Sequence, residues 1–356
     1  MKKMKNKLFI IYLLCILFFL TSCDLLYNHY THDIYKGCIY LIDTDGSNLT
    51  KVIDIGYKCD KYSLLGAKNI QYTPDGNKLI IDFNGSLFSV NIDGSDSTLI
   101  NNTLPVWGQP SISVVEPKTA FSTKIEYSGG WQDSFYDIFI VNLDATGLTN
   151  LTNTYEVDEM YPCFTPNGYE IIFSTVIYLW PRNYYINRLN INSGTIDTLA
   201  TNNDHVYRHL TFSPDGTKIY FTKYINNIKS LYVMTSDGTN QEQLYEDIII
   251  LDYLSFSPDG SKIVYNDYQN LYVMNSDGSG ITQIETAINP RYSHISHNGA
   301  KIVYSDNSIT GNIYIIDVDG CNEIMIHQGY KPTFSPDDSQ IAFSGSYLYE
   351  TIDYWE

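Results

Sequence analysis

Past residue 24 no stretch of the chain has apolar residues recurring at the 3.6-residue spacing of an amphipathic helix. Helices are therefore not expected to build its core. Basic residues are few: 22 Lys and Arg stand against 40 Asp and Glu, a formal net charge of −18. Such a surface repels phosphate backbones, so nucleic acid is not an expected partner. No Cys-x-x-Cys occurs, which removes the usual zinc-cluster spacing. The nucleophile elbow G-x-S-x-G, the phosphate cradle G-x-x-x-x-G-K and the zincin H-E-x-x-H are also missing. Long apolar runs are confined to one place, Leu8 to Leu20, and its 13 residues fall short of the 18 or more that a spanning helix needs.

That run follows Lys2, Lys3, Lys5 and Lys7 and leads into Leu20-Thr21-Ser22-Cys23. Basic residues, a short apolar core and small residues before a cysteine read as a secretory signal, and the last four residues resemble the bacterial lipobox. Residues 1–22 are expected to be a lipoprotein signal peptide, Cys23 to carry the lipid, 23–36 to be a tether and 37–356 to fold. Cleavage would remove four lysines and leave 18 basic against 40 acidic residues. Acyl chains would hold the protein to a membrane without crossing it. The bacterial cell envelope, on the periplasmic or cell-surface side, is the expected location. Asp24 resembles an inner-membrane retention signal of some bacteria, but the choice of membrane and leaflet stays open. In an exported chain, where disulfides are permitted, Cys38 and Cys59 flank one early strand region and are a plausible pair. Cys163 in a strand and Cys321 in a turn are expected to stay unpaired.

A search for internal periodicity exposes one phrase repeatedly: QYTPDG from Gln71, CFTPNG from Cys163, TFSPDG from Thr211, SFSPDG from Ser255 and TFSPDD from Thr333. HISHNG from His294 and a poorer copy around Pro117 complete the set, with steps of 39 to 49 residues. In Ser213-Pro214-Asp215-Gly216 the proline presets the second position of a type I turn and glycine suits the fourth. Alternating β-branched and aromatic sequence follows, as in Lys218-Ile-Tyr-Phe and Lys262-Ile-Val-Tyr. A second phrase then ends in Asp-Gly, a hairpin signal: IYLIDTDG from Ile39, LFSVNIDG from Leu87, LYVMTSDG from Leu231, LYVMNSDG from Leu271 and IYIIDVDG from Ile313.

Each unit therefore reads as strand A, Pro-Asp-Gly turn, strand B, loop, strand C, Asp-Gly turn and strand D. Seven first halves and seven second halves are present but offset. The chain opens with a C-D hairpin, Ile39 to Ile53, and closes with an A-B hairpin, Lys331 to Tyr349. The expected fold is an all-β, seven-bladed β-propeller of four-stranded antiparallel blades, closed by pairing of these two hairpins. Such closure removes the open edges at which a repeat stack aggregates. The SPDG and xDG phrases resemble the WD40-like propeller repeat of the TolB type over about residues 37 to 350. That family also has an α/β domain ahead of its propeller, whereas here only Asp24 to about Lys36 precedes the first strand, so TolB's own role is not implied. Related propellers in prolyl oligopeptidase-type peptidases are joined to an α/β-hydrolase domain, which is not expected in a chain ending at Glu356.

In a blade the A-B and C-D turns lie on one face and the B-C and D-A loops on the other. Loop length varies on the second face, from Asn84–Ser86 in the first blade to Ser128–Asp137 in the second. Trp107, Trp131 and Trp180 should emerge there from neighbouring blades, either as anchors for a protein or sugar ring or as plugs between loops. A second candidate is the mouth of the central channel, where strand A begins with Tyr161, His209, Tyr253, Tyr292 and Lys331, alongside Arg208 and Arg291. These residues either hold a polar or anionic group or merely fill the channel.

A non-catalytic, lipid-anchored module binding an envelope protein or carbohydrate is the function expected, with a purely architectural role competing. Neither cofactor nor metal is expected, and a monomer is. The alternative is an oligogalacturonate-like lyase: some such lyases are propellers using histidines and a metal, and His205 with His209 and His294 with His297 are close pairs. The Asp-x-Asp-Gly turns at Asp43 and Asp317 lack the rest of a calcium loop.

Overall fold

A computed structural model describes the backbone of residues 30–59, 67–83, 85–101, 104–126, 134–178, 180–225, 228–246, 254–267, 269–286, 288–306, 308 and 311–354. Side chains are described over the same residues except 30–36, 56–59, 225 and 346–354. Among the described residues every regular element is a strand, β1 to β28 in chain order. They form seven four-stranded sheets: β3–β6 (residues 69–101), β7–β10 (106–150), β11–β14 (157–202), β15–β18 (206–245), β19–β22 (255–284) and β23–β26 (290–328) are blades 1 to 6. Blade 7 pairs β27 (Tyr330–Phe334), β28 (Gln340–Tyr354), β1 (Tyr30–Asp43) and β2 (Thr50–Cys59) in that order, so the last hairpin supplies strands A and B and the first supplies C and D. The seven-bladed propeller and its closure are as the repeat offset predicts. The propeller comprises residues 37–56 and 65–346, and a second compact unit comprises 1–36, 57–64 and 347–356.

Strand B shows why the blades must pack radially. Its residues alternate between two buried faces, so each strand serves two interfaces. In blade 1, β4 (Lys78–Phe83) sends Leu79, Ile81 and Phe83 into a cluster with Ile39, Leu41 and Ala342 of blade 7. Ile80, on its other face, joins Val106, Phe121 and Val141 of blade 2. In blade 4, β16 (Lys218–Ile225) sends Ile219 and Phe221 toward blade 3 and Tyr220 toward blade 5. Seven such clusters fill the seven gaps between neighbouring blades. No sheet here could bury both faces by itself, so the ring is what makes each blade stable.

The turn phrases act through their side chains as well as their backbone. Gly216 N–H donates to the Ser213 carbonyl at 2.8 Å. Ser213 Oγ donates to Asp215 and accepts Lys218 N–H, while Asp215 also accepts Thr217 N–H at 3.0 Å. In the Asp-Gly turns the glycine takes positive φ, as at Gly46 (φ 84), whereas the aspartate before it does not. The turn is a type I turn closed by a left-handed glycine rather than a two-residue hairpin. Asp45 is engaged by Ser47 N–H at 2.8 Å, Asp43 by Asn48 and Asp317 by Lys301 and Asn322, so these carboxylates serve their own hairpins.

One detail departs from the sequence reading. The residue of blade 2 that matches the turn proline is Val114, because Ser113 N–H bonds the Lys118 carbonyl as Ser213 N–H bonds that of Lys218. Pro117 sits three positions later. Cys38 Sγ donates to Asp54 Oδ1 at 3.1 Å, while the side chain of its expected partner Cys59 falls outside those described. Cys163 and Cys321 are free thiols.

Candidate binding surface

The loop face of blades 2 and 3 is built from strand ends. Trp107 lies in β7 (Val106–Ile112), the first strand of blade 2, and is 51% exposed, its ring packed on Tyr136 at 5.3 Å. Tyr136 belongs to β9 (Ser134–Asn142), and alternation turns its neighbour Phe135 the other way, between Tyr155 at 5.6 Å and Tyr178 at 6.1 Å. Tyr178 ends strand B of blade 3 beneath the Arg182 guanidinium, 5.2 Å from its ring. Asp158 ties the two blades by accepting Tyr136 N–H and the Tyr178 hydroxyl. Trp180, in the B-C loop of blade 3, is 93% exposed and precedes Pro181 through a cis peptide bond. Trp107 with Tyr136 and Phe135 with Tyr155 and Tyr178 are thus two separate aromatic contacts near this face, and Trp180 stands exposed in the neighbouring loop, whereas Trp131 lies outside the described residues.

The channel mouth has a different construction. Strand A carries a bulge in blades 2, 3, 4, 6 and 7, with pairing interrupted between Trp107 and Ser111, Met160 and Cys163, Arg208 and Thr211, Arg291 and His294, and Tyr330 and Thr333. At the bulge Tyr161, His209, Tyr292 and Lys331 take φ between 51° and 58°, a conformation uncommon for residues other than glycine. Strand B hydroxyls satisfy carbonyls the bulge leaves without ladder partners: Ser122 donates to Trp107 O at 2.8 Å and Thr222 to Arg208 O at 3.2 Å.

This geometry brings Tyr161 to His209, with ring centroids 6.2 Å apart, and sets Lys331 over the Tyr292 ring at 4.4 Å. A cavity of about 230 Å³ opens beside Tyr161 and His209, and one of about 160 Å³ beside Tyr292 and Lys331. Gln71, Gln109 and Leu254 line both. The two glutamines were not anticipated. Gln109 becomes visible as the blade 2 counterpart of the ring residues once Val114 is matched to the turn proline. Arg208 is exposed and Arg291 half-buried, while Tyr253 lies outside the described residues.

The histidines near this mouth are poor general bases. Burial, reinforced by Lys229 and Arg208, pushes His209 down to about 3, and burial pushes His294 down to about 4. Both are neutral at physiological pH, with His209 Nδ1 3.0 Å from Thr222 Oγ1. His297 sits on the opposite, turn face beside Asp338, 3.3 Å away, so the two close pairs do not form one site. Among the described residues no three His, Cys, Asp or Glu side chains converge in a metal-holding arrangement.

Comparison with known proteins finds a family model, TolB beta propeller domain, matching residues 113–349. An oligogalacturonate lyase in complex with manganese is structurally similar at 12% identity and a TM-score of 0.62, covering 91% of this chain and 99% of that one. The oligogalacturonate lyase of Vibrio parahaemolyticus is similar at 12% identity and 0.61, covering 82% and 91%. TolB of Acinetobacter baumannii is similar at 18% identity and 0.52, covering 72% of this chain and 64% of its own. At these identities the likenesses bear on the fold alone.

Proposed function

The chain belongs to the TolB β-propeller domain family, and from that premise we propose that it is a non-catalytic binding module held to the bacterial envelope by a lipid on Cys23. Its ligand, an envelope protein or carbohydrate, engages the aromatic loop face of blades 2 and 3. The observation that carries this reading is Trp180, 93% exposed in the B-C loop of blade 3, together with Trp107, 51% exposed over Tyr136 in blade 2. A large rigid aromatic held in water costs solvation without stabilising the fold, and such side chains anchor partners and sugar rings. The channel mouth, with Gln71, Gln109, Tyr161, His209, Arg208, Arg291, Tyr292 and Lys331, adds neutral hydrogen-bonding groups and cations on that face.

Crosslinking on intact cells should capture a partner that is lost with Trp180→Ala and Trp107→Ala while circular dichroism stays unchanged. Undiminished capture by both folded variants would sink the loop-face assignment. Unsaturated products formed from acidic oligosaccharides on adding a divalent metal would instead establish the lyase alternative. Mass spectrometry of the membrane fraction should find acyl chains on Cys23, and Cys23→Ser should release the protein.

A further inference from the structure

The turn face carries a seam that recurs between blades and fails once. At most junctions the turn glycine of one blade rests against the proline turn of the preceding blade. A Cβ built on Gly216 would lie 3.1 Å from Pro166, one on Gly260 3.4 Å from Pro214, and one on Gly76 3.5 Å from Pro336. Where blade 7 lacks the glycine, Asp338 takes the same left-handed backbone (φ 59) and its carboxylate accepts His297 N–H and Asn298 N–H of blade 6. The seam is mended there by a side chain.

Between blades 1 and 2 it is not mended. Glu116 stands at the glycine position, and its N–H bonds Ser113 Oγ at 3.2 Å instead of closing the turn on the Ser113 carbonyl. Pro74 is left without a glycine turn against it, and a crevice of about 560 Å³ opens beside it. One wall is Val114 and Val115, 57% and 55% exposed, where the repeat places Pro and Asp. The rim holds Asp75 and Asp144 with Lys78, and Glu116 ion-paired with Lys118, in a chain whose net charge is −18. Asp75 is fixed in place by Thr73 and Asn77. An apolar slot at which Asp75 and Asp144 outweigh Lys78 favours an apolar group carried between cations.

We propose that this crevice is a second docking site, on the face opposite the aromatic loops, for a peptide segment in which a prolyl or aliphatic side chain is flanked by lysine or arginine. The apolar side chain takes the place that a turn glycine fills at the other junctions, against Pro74 and the two valines. Its basic neighbours meet Asp75 and Asp144. The site is independent of the loop-face reading, since the residues belong to different faces.

The probe is a labelled peptide with Pro-Val flanked by lysines, titrated by fluorescence anisotropy into the full chain, with a glutamate-flanked counterpart as control. Saturable binding is expected, weakening as salt rises and at least about tenfold weaker for the glutamate peptide. Rebuilding the repeat with Val114→Pro, Val115→Asp and Glu116→Gly should close the crevice and weaken binding at least about tenfold, while Trp180→Ala leaves it unchanged. If the rebuilt turn misfolds, Val114→Ser with Val115→Ser, both at exposed positions, should give the same loss. No saturable binding by the lysine peptide, equal binding of the glutamate peptide, or undiminished binding by the folded crevice variants would overturn the proposal.

Discussion

Glu159 is a buried carboxyl at the junction of blades 2 and 3, where Thr154 Oγ1 donates to its Oε1 at 2.5 Å and Asp137, also buried, lies close by. Burial pushes it up to about 8, with Asp137 adding to the rise against the Thr154 bond. The folded protein therefore keeps a proton that the unfolded chain loses near 4.5. Stability is fully present below that lower value and declines as pH rises through about 8. Glu159→Gln keeps the shape of the protonated acid without the titration. It should melt like the parent at pH 4 and be more stable at pH 9, by on the order of 2 to 4 kcal/mol in urea titrations. Equal pH dependence in the two proteins would refute this account. Nothing in the sequence around Glu159 announced the shift, because it comes from burial at the blade junction, to which Asp137, some twenty residues away, adds. Tyr161 and His209, by contrast, were legible as channel residues because each falls at a fixed offset before a turn proline.

At the scale of the strand and turn, glycines of similar backbone conformation differ in what surrounds them. Gly238 (φ +87) closes the C-D turn of blade 4, and a Cβ there would lie 2.5 Å from the Leu199 carbonyl oxygen of blade 3. Gly194 (φ +69) has open space around it. Gly238→Ala should therefore cost roughly 2 to 4 kcal/mol in a thermal melt and Gly194→Ala about 1, although the two turns look alike in sequence. Equal losses would mean that backbone strain alone decides. The turn aspartates have a shared signature: hydrogen bonds from neighbouring Ser and Thr lower Asp237, Asp259 and Asp337 to about 2. They stabilise the fold above the ordinary carboxylate range and lose that contribution as pH falls toward 2, so acid unfolding should set in across that window. The turns themselves were plain in the SPDG and xDG phrases. What was not plain was the register of blade 2, because Pro117 imitates the turn proline three residues after Val114, and only the Ser113 to Lys118 bond tells them apart.

At the scale of the molecule, the ring makes distant blades depend on one another. Ala342 is fully buried where blade 7 meets blade 1, among Ile39, Leu41 and Leu79. Ala342→Asp would place an unpaired charge in that seam, at a cost of roughly 3 to 5 kcal/mol. In an open array the damage would stay local, whereas a closed ring spreads it. Amide exchange is expected to quicken in β16 of blade 4 as well as in blade 7; faster exchange confined to blades 7 and 1 would show that closure is not cooperative. The fold was legible because the blade offset, C-D first and A-B last, is written in whole phrases. The binding surface was only half legible: Trp107 and Trp180 declared themselves by size, while the Tyr136 ring under Trp107 and the Phe135–Tyr178 contact between blades 2 and 3 are written in no repeat phrase.

Blade 7 joins the first-made strands of the propeller to the last. As the polypeptide leaves the ribosome, its opening hairpin must wait with one edge bare until some three hundred further residues have followed, and the other blades can form beside it in the meantime. Assembly of the final circle is thus a late event that depends on the tail arriving, and a nascent chain halted before Gln340 is left with a sticky ribbon that a chaperone would have to shield.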